Sequence, residues 1–240
     1  KVPLTTSPRF QKEAAEIALQ MSQFSVDELE RLLRVNAKIA VENYKRYQAF
    51  HAEATPELPA LLAYTGIVFK RLNPKDFSAE DFGYAQEHLR LTSFCYGLLR
   101  PLDVIRAYRL EGDVVLPELG NQTLFSYWRS RLTDTFIEDI RSAGGILCNL
   151  ASDEMKSLFD WKRVESEVRV VTPEFHVWKN GKLATIVVYT KMSRGEMTRF
   201  ILKNKIGNPE ELKGFSWEGF EFDESLSDEK KLVFINGMGE

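Results

Sequence analysis

Histidine and cysteine are scarce in this chain, with three His and two Cys among 240 residues. His51, His88 and His176 stand apart from one another, and neither a Cys-x-x-Cys nor a Glu-x-x-His pair occurs. Zinc ribbons, thioredoxin-like redox centres and di-iron bundles depend on such spacings, so the sequence predicts no metal site. Cys95 and Cys148 lie in apolar surroundings and read as buried free thiols of a cytoplasmic protein. Gly-x-Gly-x-x-Gly and Gly-x-x-x-x-Gly-Lys-Ser/Thr loops are also missing, so the usual dinucleotide and triphosphate cradles are not encoded and no cofactor is implied. No apolar run approaches the ~20 residues that cross a bilayer, and no signal-peptide pattern opens the chain. A soluble, cytoplasmic protein without membrane contact is expected.

What is present is enough apolar material, 44% of residues with 12% aromatic, to bury a substantial core. No linker, repeat or low-complexity stretch divides it, so residues 1–240 are expected to form a single domain. The net charge of −3 and a pI of about 5.8 argue against broad, nonspecific coating of DNA. Against this background the stretch from Leu89 to Gly112 stands out. It sets Arg90, Arg100, Arg106 and Arg109 against only Asp103 and Glu111, interleaved with Phe94, Tyr96, Ile105 and Tyr108. Gly97 and the Arg100-Pro101 step interrupt regular structure, which places the arginines on turns and element ends where a guanidinium can reach carboxylate or phosphate. Any one of them could instead pair with an acid elsewhere in the fold. Four together point to an anion-binding role.

Periodicity and punctuation supply the elements. Helices are expected after Ser7-Pro8, after Ser25 with its capping partner Glu28, and from Asn36. The short Arg34-Val35-Asn36 turn makes the last two resemble a helix-hairpin-helix, with Arg34 and Lys38 at hand for a phosphate, although the usual hairpin glycines are missing. Leu61 to Leu72 suggests a buried strand followed by a turn or short helix, Ser78 caps another helix, and Asn121 to Ile140 carries the clearest apolar stripe before Gly144-Gly145. Ile146 to Leu150 reads as a strand running into Ala151-Ser152. Asn180-Gly181 joins a hairpin of Val168–Trp178 and Leu183–Tyr189. Within it, Ile186 to Tyr189 is apolar on both faces and reads as a central strand, with a helix following from Ser193. The expected class is α/β (α+β), a mixed central sheet surrounded by helices.

Two strand-to-helix junctions carry candidate chemistry. Asn149 and Ser152 orient a ligand in one reading, with Glu154 as acid/base, although Ser152 as a helix cap explains itself structurally. Lys191, Arg194 and Arg199 surround the helix start at Ser193, where Ser193 and Glu196 spell a capping box. Cations there oppose the macrodipole unless an anion offsets them. If the two strands run in the same direction, both junctions fall on one carboxyl edge and Arg109 can close the third side. Opposite directions would separate them by a strand length, roughly 17–20 Å.

Tyr96-Gly97-Leu98-Leu99-Arg100-Pro101-Leu102-Asp103 and Tyr108-Arg109-Leu110-Glu111 resemble the signature of the YaaA peroxide-stress family. Asn149 to Glu154, Lys191 to Ile206 and Pro209 to Phe222 also resemble it, so the match is spread over nearly the whole chain. Met155 departs from the family's usual Tyr, and the short apolar strand and turn with which family members open are missing before Lys1. The resemblance implies a peroxide and oxidative-stress protein, associated with limiting damage from free iron, that binds DNA. The iron link is then a cellular outcome, with no metal held directly. In this reading a positive cleft of Arg100, Arg106, Arg109, Lys191, Arg194 and Arg199 engages phosphate weakly and without sequence preference. Tyr96, Tyr108 and Trp128 would be available for stacking. The alternative is an enzyme acting on a small phosphorylated or nucleotide substrate in the same cleft, and the third reading gives these charges a purely structural role.

Overall fold

In the computed structural model, which describes residues 2–237, helices α1 (Gln11–Met21), α2 (Val26–Leu33) and α3 (Ala37–Ala49) open the chain. Their ends are set locally. Ser25 and Glu28 form the expected capping box, and Asn36 Oδ1 accepts the Ile39 N–H at the start of α3. Arg34 ends α2 in the left-handed region at φ 53°, a conformation that costs a non-glycine residue strain and that a glycine would adopt freely. A short strand β1 (Leu58–Pro59) leads to α4 (Ala60–Ala63) and α5 (Ile67–Leu72), followed by the Ser78-capped α6 (Ala79–His88). The first half of Leu61 to Leu72 is therefore a short helix where a buried strand was expected, and the short helix expected after it is α5. Tyr64 separates the two with extended backbone, and Leu61 and Leu72 are buried from separate short helices.

The arginine-rich stretch folds into paired short strands: β2 (Leu91–Ser93) against β3 (Gly97–Leu99), with β4 (Val104–Ile105) against β1. Gly97 sits at φ 74°, and a Cβ there would stand 2.6 Å from the Trp128 ring, so both backbone and packing demand glycine. Strands β5 (Val115–Leu116) and β6 (Gln122–Thr123) pair before the long helix α7 (Leu124–Ser142). Helix α7 buries Trp128, Leu132, Phe136, Ile137 and Ile140. Trp128 has no exposed surface and donates its Nε1–H to the Phe94 carbonyl at 2.8 Å. Each fully buried Leu or Phe of this stripe contributes about 1.5–3 kcal/mol. Cys95 is buried in the same cluster, Cys148 is half-buried, and both are free. Burial pushes the Cys148 thiol up to about 12.

The remaining strands build the six-stranded sheet. Strand β7 (Ile146–Cys148) precedes α8 (Trp161–Glu167). The hairpin β8 (Arg169–Lys179) and β9 (Lys182–Ala184) turns at Asn180-Gly181. Helix α9 (Val187–Asn204) follows, then β10 (Ser216–Trp217), β11 (Phe220–Phe222) and β12 (Lys231–Asn236). The order is β10-β11-β12-β8-β7, with β12 and β7 parallel to β8 and the other pairs antiparallel. This is the mixed sheet with surrounding helices that the pattern predicted. The expected central strand over Ile186 to Tyr189 is instead the start of α9, with Val187 64% and Val188 41% exposed. The β-branched run leans on one face only, because Ile186 and Tyr189 pack on the sheet's core cluster while the valines face outward.

Candidate functional site

Most of the signature arginines are consumed by the fold. Arg100 donates through Nη2 to Asp103 Oδ1 at 2.9 Å and to the Ser7 carbonyl at 2.9 Å, while its backbone N–H bonds Asp103 Oδ2. The fully buried Asp103 also accepts the Thr6 hydroxyl at 2.6 Å, and its carbonyl takes the Ala60 N–H. The Arg-Pro-Leu-Asp turn is thus a staple joining the start of the chain, β4 and α4. Arg106 bonds Glu57 at 3.0 Å together with the Phe50 and Ala52 carbonyls. Arg90 shares Asp139 with Arg9 at 2.6 and 2.7 Å. Arg199 grips Asp76 with both Nη atoms and also donates to the Leu72 and Asn73 carbonyls.

The stacking rings are equally committed. Tyr96 and Trp128 are buried. The Tyr108 hydroxyl lies 2.6 Å from both the Tyr64 hydroxyl and Ser93 Oγ, with its ring edge-on to Tyr64 and Tyr96. Burial pushes the Tyr64 hydroxyl up to about 12 and Tyr108 well above its ordinary value. Tyr96 and Trp128 offer no free face to a base, which corrects the expectation of stacking for those two, and half-buried Tyr108 is held by its hydrogen bonds.

Arg109 is different. It is exposed, its carbonyl is fixed by the Tyr47 hydroxyl, and it has no ion pair among the described residues. Its charge reaches Glu111, whose carboxyl is pushed up by burial; Arg34 and Arg109 oppose that rise, and Glu154 and Asp113 add to it. Arg34 pairs with Asp113 at 2.8 Å and more loosely with Glu111 at 3.9 Å, and it also feels Glu154. The hairpin arginine, the end of the signature stretch and the segment after β7 therefore share one electrostatic neighbourhood. Glu111 and Asp113 were not singled out as site residues from sequence, although Glu111 stood in the Tyr-Arg-Leu-Glu motif two positions from Arg109.

The strands that lead to the two junctions run in opposite directions along one edge of β8, not in the same direction. Val177 pairs with both Asn236 of β12 and Ala184 of β9, so β9 lies on the edge of β8 opposite β12, and the strand order puts β7 on that same edge. Strand β7 runs parallel to β8 and pairs as far as Val171, whereas β9 runs antiparallel and pairs as far as Val177. The strands are opposite in direction and their paired ends lie about 20 Å apart along β8 at ~3.3 Å per residue, which is the strand-length separation expected for opposite directions. Asn149 follows β7, with its N–H on the Val171 carbonyl at 2.8 Å and its Oδ1 accepting the Ala151 N–H. Ser152 precedes a 3-10 turn, Asp153–Leu158, without forming a side-chain cap, and both Ser152 and Glu154 are exposed.

The helix start at Ser193 does not exist. Helix α9 begins at Val187, so Lys191 and Arg194 fall in its second turn and Arg199 in its fourth. Ser193 is fully buried in mid-helix, and Glu196 faces Arg71 at 3.9 Å instead of capping. The macrodipole therefore places no special demand on these cations. Lys191 is exposed. Arg194 is half-buried without an ion pair among the described residues, pushed down by burial and supported by the charge of Asp153. Lys38, the second residue of α3, is also exposed. Two open surface grooves, one along Arg129, Asp134 and Arg163 and one along Phe24 and Arg31, contain none of the predicted site residues. No helix among the described residues is long and apolar enough to cross a membrane.

Comparison with known proteins adds a family. The profile described as "Peroxide stress protein YaaA" matches residues 1–226. A UPF0246 protein of Bacteroides thetaiotaomicron is 99% identical over 240 residues, covering 100% of this chain and 93% of its own length. One from Porphyromonas gingivalis is 53% identical over 232 residues, covering 96% and 91%. Another from Crocosphaera subtropica is 38% identical over 235 residues, covering 98% and 92%.

Proposed function

The chain belongs to the peroxide stress protein YaaA family, and from that premise we propose that it binds DNA weakly through the phosphate backbone, so limiting the damage that free iron and peroxide inflict on it. The observation that carries this reading is the contrast among its cations. Arg109, Lys191 and Arg194 have no ion pair among the described residues, and Lys38 is exposed at the start of α3, close in sequence to Arg34. Arg34 is 61% exposed in its pair with Asp113, and an exposed, solvent-screened pair of this kind is weak, so a phosphate can compete for it. Half-buried Arg194 gains most from an incoming anion, because it has already lost part of its hydration. Protection against iron-driven damage then follows from occupancy of the DNA, and the chain is assigned no iron ligand and a cytoplasmic place of action.

The test is fluorescence anisotropy with a short random-sequence duplex. Affinity should fall steeply with salt, with a log–log slope of about −0.9 per phosphate contacted. Replacing Arg109, Lys191 and Arg194 together by Ala should flatten that slope by about two to three. A binding curve insensitive to salt would remove the reading.

A further inference from the structure

We propose that Glu174, His176 and Thr185 form a carboxylate–base–nucleophile relay beside the start of α9 that cleaves small carboxylic esters bearing an apolar acyl group. Alternation along β8 puts Glu174 and His176 on one face of the strand, and Thr185 follows β9 directly across from them. His176 Nε2 lies 2.9 Å from Glu174 Oε1, and His176 Nδ1 lies 3.1 Å from Thr185 Oγ1. A carboxylate can only accept, so Nε2 carries the proton and Nδ1 is left to accept the Thr185 hydroxyl. This is the nucleophile, base and orienting group of covalent hydrolysis, with Glu174 and His176 on β8 and the exposed Thr185 just after β9.

A cross-strand hydrogen-bond ladder would account for the contacts alone. The position of Thr185 argues for more, since it ends a strand and turns directly into an 18-residue helix. Ile186 caps α9 with no side-chain hydrogen bond, and the first N–H groups of a helix have no intrahelical acceptor. Those donors, at the positive end of the macrodipole, suit an oxyanion formed next to Thr185. Leu183, Val187 and Val188 are exposed around it and supply an apolar rim for an acyl chain.

In the first step a bond forms from Thr185 Oγ1 to the ester carbonyl carbon. The hydroxyl proton passes to His176 Nδ1, and the carbonyl π electrons move onto oxygen. Collapse of that oxyanion breaks the bond to the leaving alcohol, which takes the proton back from Nδ1. Water then repeats the sequence on the threonyl ester, releasing the carboxylic acid and regenerating Thr185. The net reaction is ester plus water giving acid plus alcohol. Glu174 is a positioning residue that holds the imidazole in the required tautomer. None of the three residues belongs to the phosphate-binding set, so the relay stands whether or not DNA is bound.

The test uses the full chain with 4-nitrophenyl butyrate. The expected result is a burst of nitrophenolate approaching one per chain and a butyryl adduct on the Thr185 peptide by mass spectrometry. Thr185→Ala should abolish both and Thr185→Ser should restore them, while His176→Ala should slow the burst about a hundredfold or more. Glu174→Gln should lower kcat with KM unchanged, and Glu174→Asp should recover part of it. Absence of the adduct in the wild-type chain, or an equal rate and lysine-only adducts in Thr185→Ala, would overturn the proposal.

Discussion

Two groups of cations with the same chemistry have opposite fates in this protein. Arg90, Arg100, Arg106 and Arg199 are held by Asp139, Asp103, Glu57 and Asp76, and most add backbone carbonyls to the grip. Arg109, Lys191 and Arg194 have no such partner among the described residues, although Arg109 stands three positions from Arg106. Motif membership does not separate them; the reach of an acid does. A guanidinium that finds a carboxylate together with backbone carbonyls becomes a structural tie, and one that does not stays available to a phosphate.

Asp103→Ala is the harshest test of that division. It leaves the Arg100 guanidinium, the Arg100 backbone N–H and the Thr6 hydroxyl without their acceptor, and should cost about 3–5 kcal/mol in chemical denaturation, the usual result of breaking a buried pair from one side. A loss below about 1 kcal/mol would mean the turn is not a tie. Gly195→Ala should cost about 1–3 kcal/mol, because its Cβ would stand 2.3 Å from the Val68 carbonyl oxygen and force α9 away from α5. An unchanged melting temperature would show that the cation-bearing helix is not fixed by this contact.

Acid should act on the tied group alone. Asp81 is held below the usual carboxylate range by Lys203 first and then by the Ser78 N–H. In Asp139, burial works the other way and is outweighed by the bonds from Arg9 and Arg90. A carboxylate whose folded value is depressed stabilises the fold above its unfolded value of about 3.9, and that contribution disappears as pH falls below it. Stability should therefore drop between about pH 4 and pH 2, and Asp81→Asn should make the drop shallower. Arg34→Ala tests the intermediate case, an exposed pair. It should leave the melting temperature nearly unchanged while weakening DNA binding severalfold, and the reverse order of effects would move Arg34 into the structural group.

Local signals were legible in the sequence because their partners lie within a turn or two. Ser25 with Glu28, Asn36, Ser78 with Asp81, and Asn180-Gly181 all act over at most three residues, so spelling and geometry coincide. The α7 stripe was legible for the same reason, since helical periodicity is local. The Ile186 to Tyr189 run was misread because a β-branched apolar stretch fits a strand or a helix start, and the choice rests on what packs against it. Hydroxyls that found no partner among the described residues, Thr190 Oγ1 and Ser193 Oγ, were equally invisible, since a serine placed as a cap differs from a buried one only through its neighbours.

The sequence by itself determined a mixed α/β domain, the caps and turns that bound its elements, and a family signature concentrated around Gly97 to Glu111. Tertiary structure alone decided what the arginines are for. Their acids lie far away along the chain: Asp139 is 130 residues from Arg9 and 49 from Arg90, and Arg199 is 123 from Asp76. It also decided that β7 and β9 run in opposite directions along one edge of β8, and that His176 lies between a carboxylate and a hydroxyl. Charge and hydrogen bonding act over a few ångströms in space, and only the folded chain sets which residues come that close.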